Sequence, residues 1–220
     1  MDGATRWVKV WDGPTRLFHW SLVALIAGAW FTAENGWIDW HFRCGYAILA
    51  LLLFRLVWGF VGSDTARFAR FVKSPVAALA HLAHITKREP DTEIGHNAAG
   101  GLMVLAMLAL ILVQVGLGLF STDGIFTDGP LAYLVGPDLS DRITGWHEFN
   151  FNLILAAVVL HVAAILTYAV LKRHDLVRPM VTGLKKLPAG LAAPRMAPLW
   201  LALLVFAVAA GGVYAFATLA

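Results

Sequence analysis

Apolar positions gather into five long stretches, covering about 17–33, 41–62, 96–120, 147–171 and 198–219, and polar positions gather between them. A helix needs about 20 predominantly apolar residues to cross a hydrocarbon core about 30 Å thick, so each stretch predicts a membrane-spanning helix. A shorter apolar run near 76–85 has His81 and His84 interleaved and follows Ser74-Pro75, which reads as an N-cap and first turn. That pattern predicts an interfacial helix over about 75–86. The connection 121–145 is rich in Gly, Pro and Asp, while 172–197 is basic and holds three prolines. No internal repeat or low-complexity tract interrupts the pattern. The predicted fold is an all-α integral membrane protein, a single membrane domain over 1–220.

Composition agrees with the pattern. Fifty-nine per cent of residues are apolar and 14% charged, and mean hydropathy is +0.70, above the range of a soluble domain. The segment before the first apolar stretch mixes both signs of charge, so that stretch reads as a retained helix rather than a cleaved signal. The lone Cys44 cannot form an intramolecular disulfide, and no Cys-x-x-Cys-His is present, which excludes covalent c-type haem attachment. Gly-x-Ser-x-Gly, His-Glu-x-x-His and phosphate-loop motifs are also missing from the sequence, so hydrolase and nucleotide readings have no footing.

The charges are sorted by loop. Fourteen of the 17 Lys and Arg lie before the first stretch, between the second and third, or between the fourth and fifth. The opposite loops carry Glu34, Asp39, Asp123, Asp128, Asp138 and Asp141 against Arg43 and Arg142. The positive-inside rule then predicts an inner-membrane protein with a cytoplasmic N-terminus and a periplasmic C-terminus. Trp37, Trp40 and Trp146 fit an outer aromatic belt; Trp11, Trp20, Trp58 and Trp200 fit an inner one. Because topology accounts for the basic residues, the net charge of +3 points to no nucleic-acid partner.

This topology assigns a depth to each histidine. His147 and His161 are fourteen residues apart, close to four helical turns, so they share a face and lie roughly 21 Å apart along the axis. His41 opens the second stretch and His147 the fourth, both at the outer level. His19, near the start of the first stretch, and His161, deep in the fourth, lie at the inner level. Ionisable groups inside a bilayer by default mark function. Two depth-matched pairs, His41 with His147 and His19 with His161, suit two haems, each with an imidazole on both axial sides. Arg55 follows His41 by fourteen residues, at the inner level, where its guanidinium can pair with a haem propionate or snorkel to headgroups. His96 competes with His19 for the inner position, or lines a quinone or proton site. Gly45, Gly100, Gly101, Gly116 and Gly118 are candidates for close approach to a porphyrin. His81, His84 and His174 are expected at the surface, and Gln114 as a helix-packing amide.

The stretches Val10-Trp11-Asp12-Gly13-Pro14-Thr15-Arg16-Leu17-Phe18-His19-Trp20, Gly95-His96-Asn97-Ala98-Ala99-Gly100, Trp146-His147-Glu148 and Leu160-His161 resemble the bacterial cytochrome b561 family, which includes the b-type cytochrome subunits of nickel–iron hydrogenases. Leu176-Val177-Arg178-Pro179-Met180-Val181-Thr182-Gly183-Leu184-Lys185 is similar to the tail that follows the family's fourth helix. The resemblance spans about 8–186. It implies a four-helix transmembrane haem-binding bundle holding two non-covalent b haems, with ligands from the first, second and fourth helices: His19, His41, His147 and His161. A fifth C-terminal transmembrane helix and Ala98 in place of an expected Pro are departures.

The expected function is electron transfer across the membrane, between quinone or quinol and a periplasmic partner. The resemblance implies a hydrogenase, a reductase or a c-type cytochrome as that partner, and the acidic outer loop suits a basic one. An alternative within the family is a self-contained superoxide–quinone oxidoreductase. It needs basic outer residues to attract the anion, and these loops are acidic. A haem-free transporter or anchor is the third reading. Membrane lipid is a partner in all three.

Overall fold

The computed structural model describes residues 4–87 and 90–219. Five of its helices are long and apolar enough to span a membrane. They are α1 (Gly13–Glu34), α2 (Ile38–Val61), α5 (Ala98–Gly118), α6 (Pro137–Thr167) and α8 (Leu199–Leu219). Short helices α3 (Phe68–Phe71) and α4 (Pro75–Ala83) lie between α2 and α5, and α7 (Val177–Thr182) follows α6. Large apolar side chains on the long helices, such as Phe60, Val159 and Val208, are exposed. In lipid that exposure costs nothing, because the hydrocarbon is as apolar as the side chains. The chain is a multi-pass membrane protein.

Helix starts depart from the apolar boundaries for local reasons. Helix α1 begins at Gly13, four residues early, because the Asp12 carboxylate accepts the Thr15 N–H at 2.6 Å. That is an N-cap followed by Pro14 in the first turn. Helix α6 begins at Pro137, ten residues before the apolar run, so His147 lies well inside the helix instead of opening it. The added turns are polar, and Ser140 anchors them by donating to the Phe120 carbonyl at 2.6 Å. Helix α4 has the expected N-cap, with Ser74 Oγ accepting the Ala77 N–H at 3.2 Å.

The structure also contains a two-stranded antiparallel ribbon, which the hydropathy pattern does not announce. Strand β1 (Thr5–Lys9) pairs with β2 (Leu184–Pro188), Arg6 opposite Leu187 and Val8 opposite Lys185. Val8, Val10, Trp11 and Leu187 form a small buried cluster beside it. Gly183 precedes β2 with φ +83°, and a Cβ there would stand 2.8 Å from the Trp11 carbonyl oxygen. Only glycine satisfies both the backbone angle and the close approach.

Two compact units divide the chain. The first comprises Met1–Phe18, Arg55–Leu105 and Val159–Leu203; the second comprises His19–Phe54, Ala106–Val158 and Leu204–Ala220. The first contains the ribbon and the basic loops. There Asp12, 3% exposed, also accepts the indole N–H of the fully buried Trp58 at 3.2 Å. Trp11 and Trp58 are therefore core residues and not members of an aromatic belt, whereas Trp20, Trp37, Trp40, Trp146 and Trp200 are exposed. In the second unit α8 packs on α2 through Phe54 with Phe206 and Tyr46 with Phe216. Its acidic connection is fastened by Asp123, whose Oδ1 accepts the N–H groups of Ile125, Phe126 and Thr127 at 2.8–2.9 Å. These three bonds, Thr127's first, hold the Asp123 carboxyl down to about 2.

Candidate functional site

In the second unit His41 on α2 and His147 on α6 face each other with ring centres 6.1 Å apart and planes at 78°. The His41 Nδ1–H donates to the Ala29 carbonyl at 2.8 Å, and the His147 Nδ1–H donates to the Gln114 carbonyl at 3.0 Å. With each Nδ1 committed as a donor, each Nε2 carries the lone pair. Metal-binding imidazoles are oriented this way, by a second bond on the nitrogen remote from the metal. Metal–imidazole bonds of about 2 Å on both sides of one ion separate the ring centres by about 6 Å, which agrees with the spacing found.

The environment of His147 fixes its orientation further. The Gln114 side chain donates from Nε2 to the His147 Nε2 at 3.1 Å. Asn150 holds that amide in place by donating to Gln114 Oε1 at 2.7 Å and to the Leu110 carbonyl at 3.0 Å. Gly118, one turn after Gln114, admits the ring: a Cβ there would lie 3.1 Å from His147 Cε1. Gln114 therefore does more than pack helices; it touches the imidazole with both backbone and side chain. Its signal in the sequence was the one-turn spacing to Gly118. Gly45, one turn after His41, and Gly116 have no heavy atom within 4 Å of a built Cβ. Gly101 abuts the Phe71 carbonyl and Gly100 the Asn97 side chain, so these two serve local packing.

Among the described residues no three His, Cys, Asp or Glu side chains converge to hold a bare metal ion. Two opposed imidazoles fit a metal that brings its own equatorial ligands, as a porphyrin does.

The other predicted residues are placed as follows. His19 lies on α1 in the second unit, its ring edge-on to Trp20 at 4.9 Å. His161 lies on α6 in the first unit. Arg55, 3% exposed, sits over the Phe68 ring at 4.9 Å and within 5.9 Å of the Phe71 ring centre. Its Nη1 is buried with no hydrogen-bond partner among the described residues. A guanidinium so enclosed is not snorkelling. His96 precedes α5 instead of opening it, with its ring 4.7 Å from that of Trp11 and 4.8 Å from that of Phe71.

His81, His84 and His174, expected at the surface, line a cavity of about 280 Å³ with Tyr168 and Lys172. His81 and His174 are partly buried. The signal missed was Tyr168-Ala169-Val170-Leu171-Lys172, whose polar ends meet across one turn of π-helix.

The prokaryotic cytochrome b561 family profile matches residues 10–183. Three curated relatives are similar to the chain, each described as a probable Ni/Fe-hydrogenase B-type cytochrome subunit. That of Bradyrhizobium diazoefficiens is 23% identical over 212 residues, covering 80% of this chain and 85% of its own. The Rhodobacter capsulatus protein is 23% identical, covering 80% of each chain. The Cupriavidus necator protein is 21% identical, covering 79% of this chain and 85% of its own. No solved structure matches the chain.

Proposed function

The chain belongs to the prokaryotic cytochrome b561 family, and from that premise we propose that it is a di-haem electron carrier linking membrane quinone to a periplasmic redox protein. Its family makes it a haem b-type membrane electron carrier. The proposal adds the ligands, the haem count and the partners. His41 and His147 would hold one haem, His19 and His161 the other. The observation that carries it is the first pair: two imidazoles 6.1 Å apart, each tied by Nδ1 to a backbone carbonyl. The second pair rests on helix spacing and depth in the sequence. Haem b, held by these histidines, would supply a one-electron iron couple.

The protein's own part is positioning and insulation. Carbonyls of Ala29 and Gln114 fix the tautomer and the tilt of the rings. His147 would offer its Nε2 to the haem in place of the Gln114 amide now bonded there, and Asn150 would keep that amide in position. The buried Arg55 Nη1 offers an acid such as a propionate the hydrogen bond it lacks. For the partners, the relatives' descriptions favour a hydrogenase, and the acidic outer loops suit a partner on the periplasmic side. The positive-inside rule applied to the basic loops supports a cytoplasmic N-terminus and a periplasmic C-terminus.

The test is a haem count on purified protein. Wild type should carry two low-spin b haems per chain, reducible by quinol. A single haem, or none, would refute the assignment.

A further inference from the structure

The 280 Å³ cavity of the first unit lies where α4 meets the end of α6. Among the described residues its lining carries two lysines, Lys87 and Lys172, against one carboxylate, Glu93, while the nearby Asp91 is already held by Lys185 at 2.8 Å and His174 at 3.6 Å. The Lys172 ammonium lies 6.0 Å from the Tyr168 ring centre, with no carboxylate within 4 Å among the described residues. A lysine that lines a cavity without an ion-pair partner suits an anion.

The other polar groups around it are bonded to one another, leaving one imidazole N–H free. Asn97 Oδ1 accepts the Gly100 N–H at 2.7 Å, which turns its Nδ2 to donate to Tyr168 Oη at 2.9 Å. The Tyr168 hydroxyl proton therefore goes to His81 Nε2, 2.6 Å away, and His81 keeps an Nδ1–H. His84 Nδ1 is spent on the Ala80 carbonyl at 2.9 Å. The π-helical turn Tyr168–Lys172 ends at Arg173, a non-glycine residue at φ +58°. Strained backbone of this kind persists where a site depends on it.

Helix α4 shows a second face. Val76, Leu79 and Leu82 are exposed at helical spacing, and Val170 and Leu171 are exposed beside Lys172 in the chain. A cationic cavity at a membrane boundary, with exposed Val170 and Leu171 next to its Lys172 in the chain, suits one molecule with a phosphate and acyl chains. We propose that this pocket binds the phosphodiester headgroup of an anionic phospholipid, on the membrane side that carries the basic loops. This is independent of the haem assignment.

The full chain in phosphatidylcholine nanodiscs containing a minority of phosphatidylglycerol tests it, with bound lipids counted by native mass spectrometry. Lys172→Gln should lower phosphatidylglycerol affinity about fivefold, the value of about one surface cation, and leave phosphatidylcholine unaffected. Lys172→Arg should keep it. If Lys172→Gln does not fold, Lys87→Gln, at an exposed position, should show a loss of the same sign. Unchanged phosphatidylglycerol affinity in the glutamine variants would overturn the site. So would binding of inorganic phosphate as tightly as the lipid, or release of a co-purified quinone in place of lipid.

Discussion

Two pairs of histidines, one pair in each compact unit, are held in opposite ways. In the second unit, His41 and His147 are held by backbone carbonyls and a neutral amide pair, with no charged side chain bonded to them. In the first, His81 and His174 belong to a network of Tyr168, Asn97, Asp91 and Lys185. Carbonyl-anchored imidazoles keep Nε2 on offer and stay fixed, as metal ligation requires. Imidazoles bonded to acids and hydroxyls are tied into side-chain networks instead. Residue type alone does not distinguish the two; their partners do.

The largest expected effect that separates the units is His147→Ala. It should remove one haem, halving the haem-to-protein ratio in a pyridine haemochrome assay, and leave the first-unit pocket able to bind lipid. Retention of both haems would break the distinction. Next comes Asp12→Ala, which removes both the cap of α1 and the partner of the Trp58 indole. It should cost roughly 2 kcal/mol of stability, seen as a lower Tm with haem content unchanged at low temperature. Loss of haem at low temperature would overturn that expectation.

Gln114→Leu sharpens the picture within the second unit. The carbonyl bond to His147 Nδ1 stays and the amide competing for Nε2 goes, so haem transfer to apomyoglobin should not accelerate. Faster haem loss would show that the side-chain amide supports the bound state. The smallest effect concerns Asp123. Its carboxyl is held down to about 2, so its loop bonds are fully present above the usual carboxylate range and are lost as pH falls through about 2. Asp123→Asn should leave haem spectra intact and make the connection 121–145 modestly more sensitive to protease at neutral pH.

The five spans were legible because a bilayer imposes length and apolarity on consecutive residues. Their ends were not, because caps and polar turns set them: Asp12 with Pro14 extends α1, and Pro137 with Ser140 extends α6 through residues no hydropathy pattern would include. The ribbon escaped notice because its strands are five residues long and nearly 180 positions apart. Depth alone brought His41 and His147 together, since topology converts sequence position into height. Gln114 and Tyr168 needed the lateral arrangement of helices, which periodicity in one helix does not carry. Likewise Trp11 and Trp58 looked like belt residues until the Asp12 bond placed Trp58 inside the core.

The ribbon bears on how the chain matures. Residues 5–9 are made before any of the long helices, yet their partners at 184–188 emerge only after α1, α2, α5 and α6. The first strand must wait unpaired through four insertions, and the clasp closes only when the fourth long helix has been threaded. A chain stalled before that point has a loose end for proteases to seize, which turns a five-residue pairing into a checkpoint on completed assembly.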